Sequence, residues 1–431
     1  MPSRTLERMA GSLRRTFASL RVRNFRLFIG GQLVSGIGTW MQWVASPLLV
    51  LHLTGSGTAL GFDTALTFLP ILLLGAWGGV LADRFDNRKL QILTQAGYGV
   101  VAFCLWILVV TGVVEVWMVF TLSFISGLVS AVDMPTRQSF YLEIVGPEEL
   151  TNAMSLNTAT FTGTRIVGAA AAGATIAAFG LAPAFLINAI SYLFVVAALI
   201  AMRPRELVPR ERVPRARGQI REGVRYAWRR KELRIPLLVM LFVFTFGFNF
   251  TVLLPLLAER TFGGNAGTYG LMLSLFGVGS LSGALFMAGR SSRPAIGRLA
   301  ALGIALGVLG ILVALAPTLV VANLLIIPLG AAGIAFAITG NSTLQLLSSS
   351  ELRGRVMALY TVVFLGSTPI GGTLAGWVGQ HLGPRVGLAG GGVIAILAGL
   401  AALPTLKDLR TAEPAASGRQ APAREADPLS A

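Results

Sequence analysis

The sequence predicts an all-α integral membrane protein, with twelve transmembrane helices arranged in two pseudo-symmetric six-helix bundles. Three observations carry that expectation. Of 431 residues, 54% are hydrophobic and only 13% charged, which is more apolar surface than a soluble domain buries in its own core. About twelve apolar runs approach the roughly 20 residues that a helix needs to cross a bilayer. The chain also repeats itself: at an offset of 203, positions 148–173 and 351–376 share nine identities, including Glu148/Glu351, Met154/Met357, Gly163/Gly366, Gly168/Gly371 and Gly173/Gly376. Parallel repeats related by an axis along the membrane normal are a transporter architecture, with the substrate site between them near mid-depth.

The elements follow in order. Residues 1–25 form a basic segment expected in the cytoplasm. It is mixed in composition, and the apolar run after it is too long for the core of a signal peptide, so no cleaved leader is expected. The amino-terminal bundle occupies 26–202, with runs at 26–53, 59–80, 91–111, 116–133, 152–178 and 182–201. A basic linker follows at 203–234, punctuated by Pro204, Pro209 and Pro214. Its second part, QIREGVRYAWRRKELR, sets Ile220, Val224, Ala227 and Trp228 on one helical face among arginines, the pattern of a helix lying on an anionic membrane surface. The carboxyl-terminal bundle occupies 235–406, with runs at 235–258, 268–289, 297–315, 318–338, 355–378 and 386–405, and 407–431 is a cytoplasmic tail expected to be disordered.

The net charge of +16 raises the question of nucleic acid, and its distribution answers it. With the amino terminus inside, 32 of the 35 Lys and Arg fall on the inner side, and only Arg260 and Arg385 lie outside. This positive-inside asymmetry places both termini in the cytoplasm of a bacterial-type inner membrane and makes a nucleic-acid partner unnecessary. The single Cys104 allows no intramolecular disulfide, no metal-ligand spacing occurs, and His52 and His381 fall near outer helix ends. There is no GxxxxGK[ST] for direct ATP drive and no Ser/His/Asp set, so neither an enzyme nor a cofactor is expected.

The densest charge lies in GGVLADRFDNRKL, residues 78–90, between the second and third runs. A solvated inner turn explains Arg84, Arg88 and Lys89 but not Asp83 and Asp86, nor the glycine pair that admits a close helix neighbour. A conformational latch explains all of them. Asp83 would sit at a helix N-terminus of the opposite bundle, and the arginines would pair with a carboxylate, for which Asp133 is the candidate. The stretch resembles the signature loop of the major facilitator superfamily, with Asp86 and Asn87 where Gly and Arg are usual. The segments RNFRLFIGGQLVSGIGTWMQWVA from Arg23, DMPTRQSFYLEIVGPEELTNAMSLN from Asp133 and RIVGAAAAGATIAAFG from Arg165 resemble its branch of enterobactin-type siderophore exporters and macrolide-efflux-like proteins. The resemblance implies that Gly79, Asp83, Arg84 and Arg88 clamp the cytoplasmic side in the outward-open state. The second half holds a worn copy, GALFMAGRSSRP from Gly283, without a matching acid.

Other residues stand out by their setting. Gly163, Gly168 and Gly173 in the fifth run, with Gly371 and Gly376 in the eleventh, suit close helix packing. The resemblance adds an antiporter signature in the fifth helix, here with Ala169 where proline is usual. Arg165 is costly near mid-bilayer unless it faces a cavity or a partner, so it is either a substrate contact or a hydrogen-bonding hub. Asp63 either complements the N-terminus of the second helix or carries a coupling proton. Gln32 and Asn249 either line the cavity or bond between helices. Trp40, Trp43 and FVFTFGFNF from Phe242 either face substrate or pack. Together these features lead to a secondary transporter, a proton-coupled exporter of amphipathic small molecules such as a siderophore, drug or secreted metabolite. The proton gradient is its energy source, the lipid bilayer its surroundings, and a monomer suffices. An importer or lipid flippase of the same fold is the alternative, with a membrane sensor behind it.

Overall fold

A computed structural model describes residues 18–208, 219–288, 296–349 and 352–416. In the amino-terminal half, α1 is Arg23–Thr54, α2 Gly57–Arg84, α3 Asn87–Val110 and α6 Ala182–Ala201. Between α3 and α6, a 64-residue helical stretch, Val116–Phe179, is two membrane helices. Gly146, with φ 73° and ψ 174°, precedes Pro147 and breaks the ladder, giving α4 (116–145) and α5 (147–179). Only glycine takes that φ at no cost, and the proline has no N–H to continue the helix. After the linker come α7 (Gln219–Arg229) and α8 (Lys231–Thr261), then α9 (Ala266–Ala288), α10 (Ile296–Leu315), α11 (Leu319–Leu347), α12 (Arg353–His381) and α13 (Pro384–Ala416). All but α7 are long and apolar enough to cross a membrane.

Local chemistry sets the helix ends. Gly55 closes α1 in the left-handed region, Ser56 caps α2 by accepting from Ala59 N, and Asp86 caps α3 by accepting from Lys89 N. Leu73, Leu93, Leu193 and Val320, within the spans, are left exposed and are apolar, as contact with the hydrocarbon layer requires.

The sequence repeat is also a packing repeat. In the first half α2 lies along α4 and α3 along α6; in the second α9 lies along α11 and α10 along α13. Gly78 of α2 meets the backbone of Ala131 in α4, and Gly279 of α9 meets that of Ile327 in α11. The two halves meet through α2 with α12 and α5 with α9. The helices of the second half are less regular. α8 contains wide turns at Val243–Gly247 and Leu257–Thr261, with a non-helical residue at Asn249, and α12 is interrupted between Gly366 and Thr368.

The amphipathic α7 is pinned from one side. Ala227 is buried, the Tyr226 hydroxyl accepts from Ser349 N at 3.2 Å, and the Arg230 guanidinium lies 4.8 Å from the Tyr226 ring. Val224 and Trp228 remain exposed. Of the tail expected to be disordered, residues 407–416 instead continue α13 as helix; the rest of it and the basic part of the worn second loop lie outside the described residues.

Candidate functional site

The helices enclose a cavity of about 450 Å³. It is walled almost entirely by the amino-terminal bundle, with Thr251 of α8 the contribution from the other half. Its location follows from the sequence of α4. Ser123, Ser126, Ser130, Asp133 and Arg137 recur every three or four residues, so they form one polar stripe, and all five line the cavity.

At one end of that stripe is a buried ion pair. Asp133 Oδ2 accepts from Arg137 Nη2 one turn along. Asp133 Oδ1 accepts from Gln91 Nε2 (3.0 Å), Thr94 Oγ1 (2.8 Å) and Gln95 Nε2 (2.9 Å) of α3. Arg137 Nη1 also donates to Gln32 Oε1 of α1 at 3.2 Å. Nearby Tyr98 and Ser130 share a 2.6 Å hydrogen bond, and Tyr141 donates to Asn157 Oδ1 at 2.5 Å. Asp63 lies in α2 at the other end, 6% exposed, with a hydrogen bond to Ser123 and its Oδ1 buried without a partner. An aromatic ridge forms one wall: the Trp40 ring lies 5.4 Å from Trp43 and 5.5 Å from Phe161, and Trp43 lies 6.1 Å from Phe68.

The halves are sealed on the face away from the linker. Arg260 Nη2 donates to Gly55 O (2.5 Å) and Gln380 Oε1 (2.7 Å), and Gly57 N donates to Gln380 Oε1 (2.7 Å). Beneath this lid backbones touch: Gly57 and Gly61 of α2 against Gly372 and Gly376 of α12, and Gly173 of α5 against Gly267 and Gly270 of α9. Contacts between the halves continue to mid-depth, where Ser274 Oγ of α9 donates to Ile166 O of α5 at 3.2 Å and Leu72 of α2 reaches Gly366 of α12. Toward the linker side the cavity lining runs on to Gln138, Tyr141, Met154 and Asn157, and with the other face sealed, access to the cavity lies on this side.

The structure brings Gln32, Trp40, Asp63 and Asp133 to the cavity. It does not bring Asn249 there. That side chain donates to Thr245 O at 2.7 Å, satisfying the carbonyl freed where α8 loses its regular turn. Arg165 likewise lies outside the cavity lining, wedged between the bundles, with its guanidinium carbon 5.8 Å from the centroids of both Trp40 and Phe276. Gly168 packs on Ile37 and Trp40, Gly371 on Thr245, and Gly173 and Gly376 at the seal, whereas a side chain at Gly163 would meet nothing within 4 Å.

In this conformation two of the loop residues, Arg88 and Asn87, serve the amino-terminal bundle itself. Arg88 donates to Leu199 O (2.7 Å) and Ile200 O (3.0 Å) at the end of α6, where carbonyls lack helical partners, and Asn87 donates to Glu143 Oε1 at 2.6 Å. Arg84 is exposed, and Gly78 and Gly79 are buried. The expected pairing of Asp133 with the loop arginines is replaced by Arg137, which stands one helical turn away and reaches the carboxylate first. Arg137 is the residue the sequence reading missed: counted as an inner-loop cation, it belongs to α4, and its i+4 spacing from Asp133 was the available signal.

Comparison with known proteins agrees with this fold. The family described as "Transmembrane secretion effector", within the major facilitator superfamily, matches residues 14–427. The staphyloferrin A transporter of Staphylococcus aureus is 24% identical over 264 residues, 61% of this chain and 66% of that protein. Macrolide efflux protein A of Streptococcus pyogenes is 31% identical over 121 residues, 28% of this chain and 30% of that protein. The matched part thus spans from under a third to just under two thirds of these relatives. Among solved structures, a bacterial homologue of the iron transporter ferroportin in an inward-facing state superposes with TM-score 0.72 at 16% identity, over 89% of this chain and 98% of that one. A bacterial homologue of the lysosomal transporter Spinster, also inward-facing, gives 0.67 at 14% identity, over 90% and 98%.

Proposed function

We propose that this chain, which belongs to the transmembrane secretion effector family of the major facilitator superfamily, is a proton-coupled exporter of amphipathic small molecules that works by alternating access. The observation that carries the reading is the cavity, polar on one wall and aromatic on the other, sealed on one face and open on the face of the basic linker. By the positive-inside rule the open face is cytoplasmic, so a molecule from inside can enter the cavity as it stands. The two bundles then rock so that the seal parts and the linker side closes, with Gly79, Asp83, Arg84 and Arg88 forming the closed-side latch.

Asp63 is the coupling carboxylate in this scheme, since Asp133 is committed to Arg137 and three neutral donors. Protonation of Asp63 from outside would bias the return to the inward-open state. The test is a comparison of inner and outer metabolite pools with and without the gene, followed by flux of the differing compound in inverted vesicles. Uptake into those vesicles that rises with an acid-inside gradient is expected. Uptake without any response to the gradient removes proton coupling, and flux in the opposite direction removes export.

A further inference from the structure

Arg137 is the one cation among the described residues that line the cavity, and its surroundings are unlike those of a purely structural ion pair. Its side chain is 32% exposed while that of Asp133 is 2% exposed, so one edge of the guanidinium faces the cavity. Two buried donors, Arg137 Nε and Gln32 Nε2, have no hydrogen-bond partner. A buried N–H without an acceptor is unfavourable, and here two sit on side chains that already touch at 3.2 Å. Asp133, in contrast, is over-provided: with Arg137 removed it keeps Gln91, Thr94 and Gln95 on Oδ1. The usual obstacle to opening a buried pair is the charge left behind. That obstacle is reduced here, because the carboxylate has three neutral donors of its own.

From these observations we propose that Arg137 is an anion receptor held in reserve by Asp133, and that the transported molecule presents a carboxylate or similar planar anion to it. The guanidinium fork turns from Asp133 to the two oxygens of the ligand. Gln32 Nε2 gains an acceptor in the same step. The ligand's apolar body lies against the Trp40, Trp43 and Phe161 ridge, making the substrate class an amphipathic carboxylate. The proposal rests on the cavity being the substrate site.

The test uses a matched pair of probes, 1-naphthoate and the uncharged 1-naphthamide, titrated at neutral pH against purified full-length protein by calorimetry. Wild type is expected to favour naphthoate by about tenfold or more, the scale of a charge-assisted hydrogen bond. In the double variant Asp133→Asn with Arg137→Gln, which removes both charges together, the ratio of the two affinities should fall to about one. Asp133→Asn alone should tighten naphthoate binding several-fold, because the receptor is no longer occupied; this gain does not depend on the double variant folding. Equal affinities in wild type, or a preference that persists in the double variant, overturn the anion receptor and leave the cavity as substrate site. Binding of neither probe overturns both.

Discussion

The seal between α2 and α12 makes Gly376→Ala a sharp test of alternating access. A β-carbon at 376 would fall on the carbonyl oxygen of Gly57 and lie 2.9 Å from Gly61 Cα and 3.0 Å from Gly61 N. All three atoms are backbone of the opposite bundle, so no side chain can swing aside, and the bundles themselves must separate. Overpacking of this kind costs about 1–3 kcal/mol, but only in the sealed state, because the opposite state parts these helices. The open-to-sealed ratio should therefore rise by roughly 5- to 150-fold. In a Cys104→Ser background, a reporter Ser46→Cys in the cavity wall would be labelled by a membrane-impermeant maleimide added outside. Labelling should accelerate in Gly376→Ala and stay at background in Gly30→Ala, where a β-carbon meets nothing within 4 Å. Unchanged labelling in a folded Gly376→Ala protein would refute the seal as the outer gate.

Three further variants probe the proposed machinery. Asp63→Asn should abolish flux driven by a pH gradient in proteoliposomes while substrate exchange at symmetric pH continues; retained gradient dependence would move the coupling site elsewhere. Asp83→Asn should slow transport roughly two- to thirtyfold, the range of a carboxylate at a helix N-terminus (about 0.3–2 kcal/mol), with membrane insertion intact; normal turnover would remove the latch. Arg165→Ala removes a cation held between Trp40 of one bundle and Phe276 of the other, worth about 0.5–2 kcal/mol. It should change turnover more than KM, and a KM effect alone would return Arg165 to the substrate site.

The fold was legible because bilayer thickness and the positive-inside rule act on every span, and the repeat at 148–173 and 351–376 reported the pairing of halves. The apparent loop at 134–151 was not legible. It holds Arg137, Glu143, Glu148 and Glu149, a charge density that reads as an inner loop, yet α4 continues through it and breaks only at Gly146. The cation in the cavity was therefore assigned to topology. Asn249 and Arg165 misled for the opposite reason. A polar residue in an apolar run needs a partner, and sequence cannot say whether that partner is a ligand, a freed carbonyl such as Thr245 O or a pair of rings. Gln32 and Asp63 were placed in the cavity by neighbours on other helices, information that no single span contains.

The polar residues and the irregular backbone are divided between the bundles, and this division separates two glycines five positions apart in α12. Gly371 lies where α12 and α8 both lose regular helix, and a β-carbon there would overlap Thr245 O and lie 3.0 Å from Asn249 Oδ1. The clash is as severe as at Gly376, but both helices belong to the same bundle. Rocking the bundles cannot relieve it, so the roughly 1–3 kcal/mol of overpacking is paid in every state of the cycle. Gly371→Ala should lower the melting temperature and leave the Ser46→Cys labelling rate at background. Gly376→Ala should do the reverse, because the opened state escapes its strain. If the two variants gave the same pair of readouts, the halves would not move as rigid bodies, and the division between a binding bundle and its partner would fail with it.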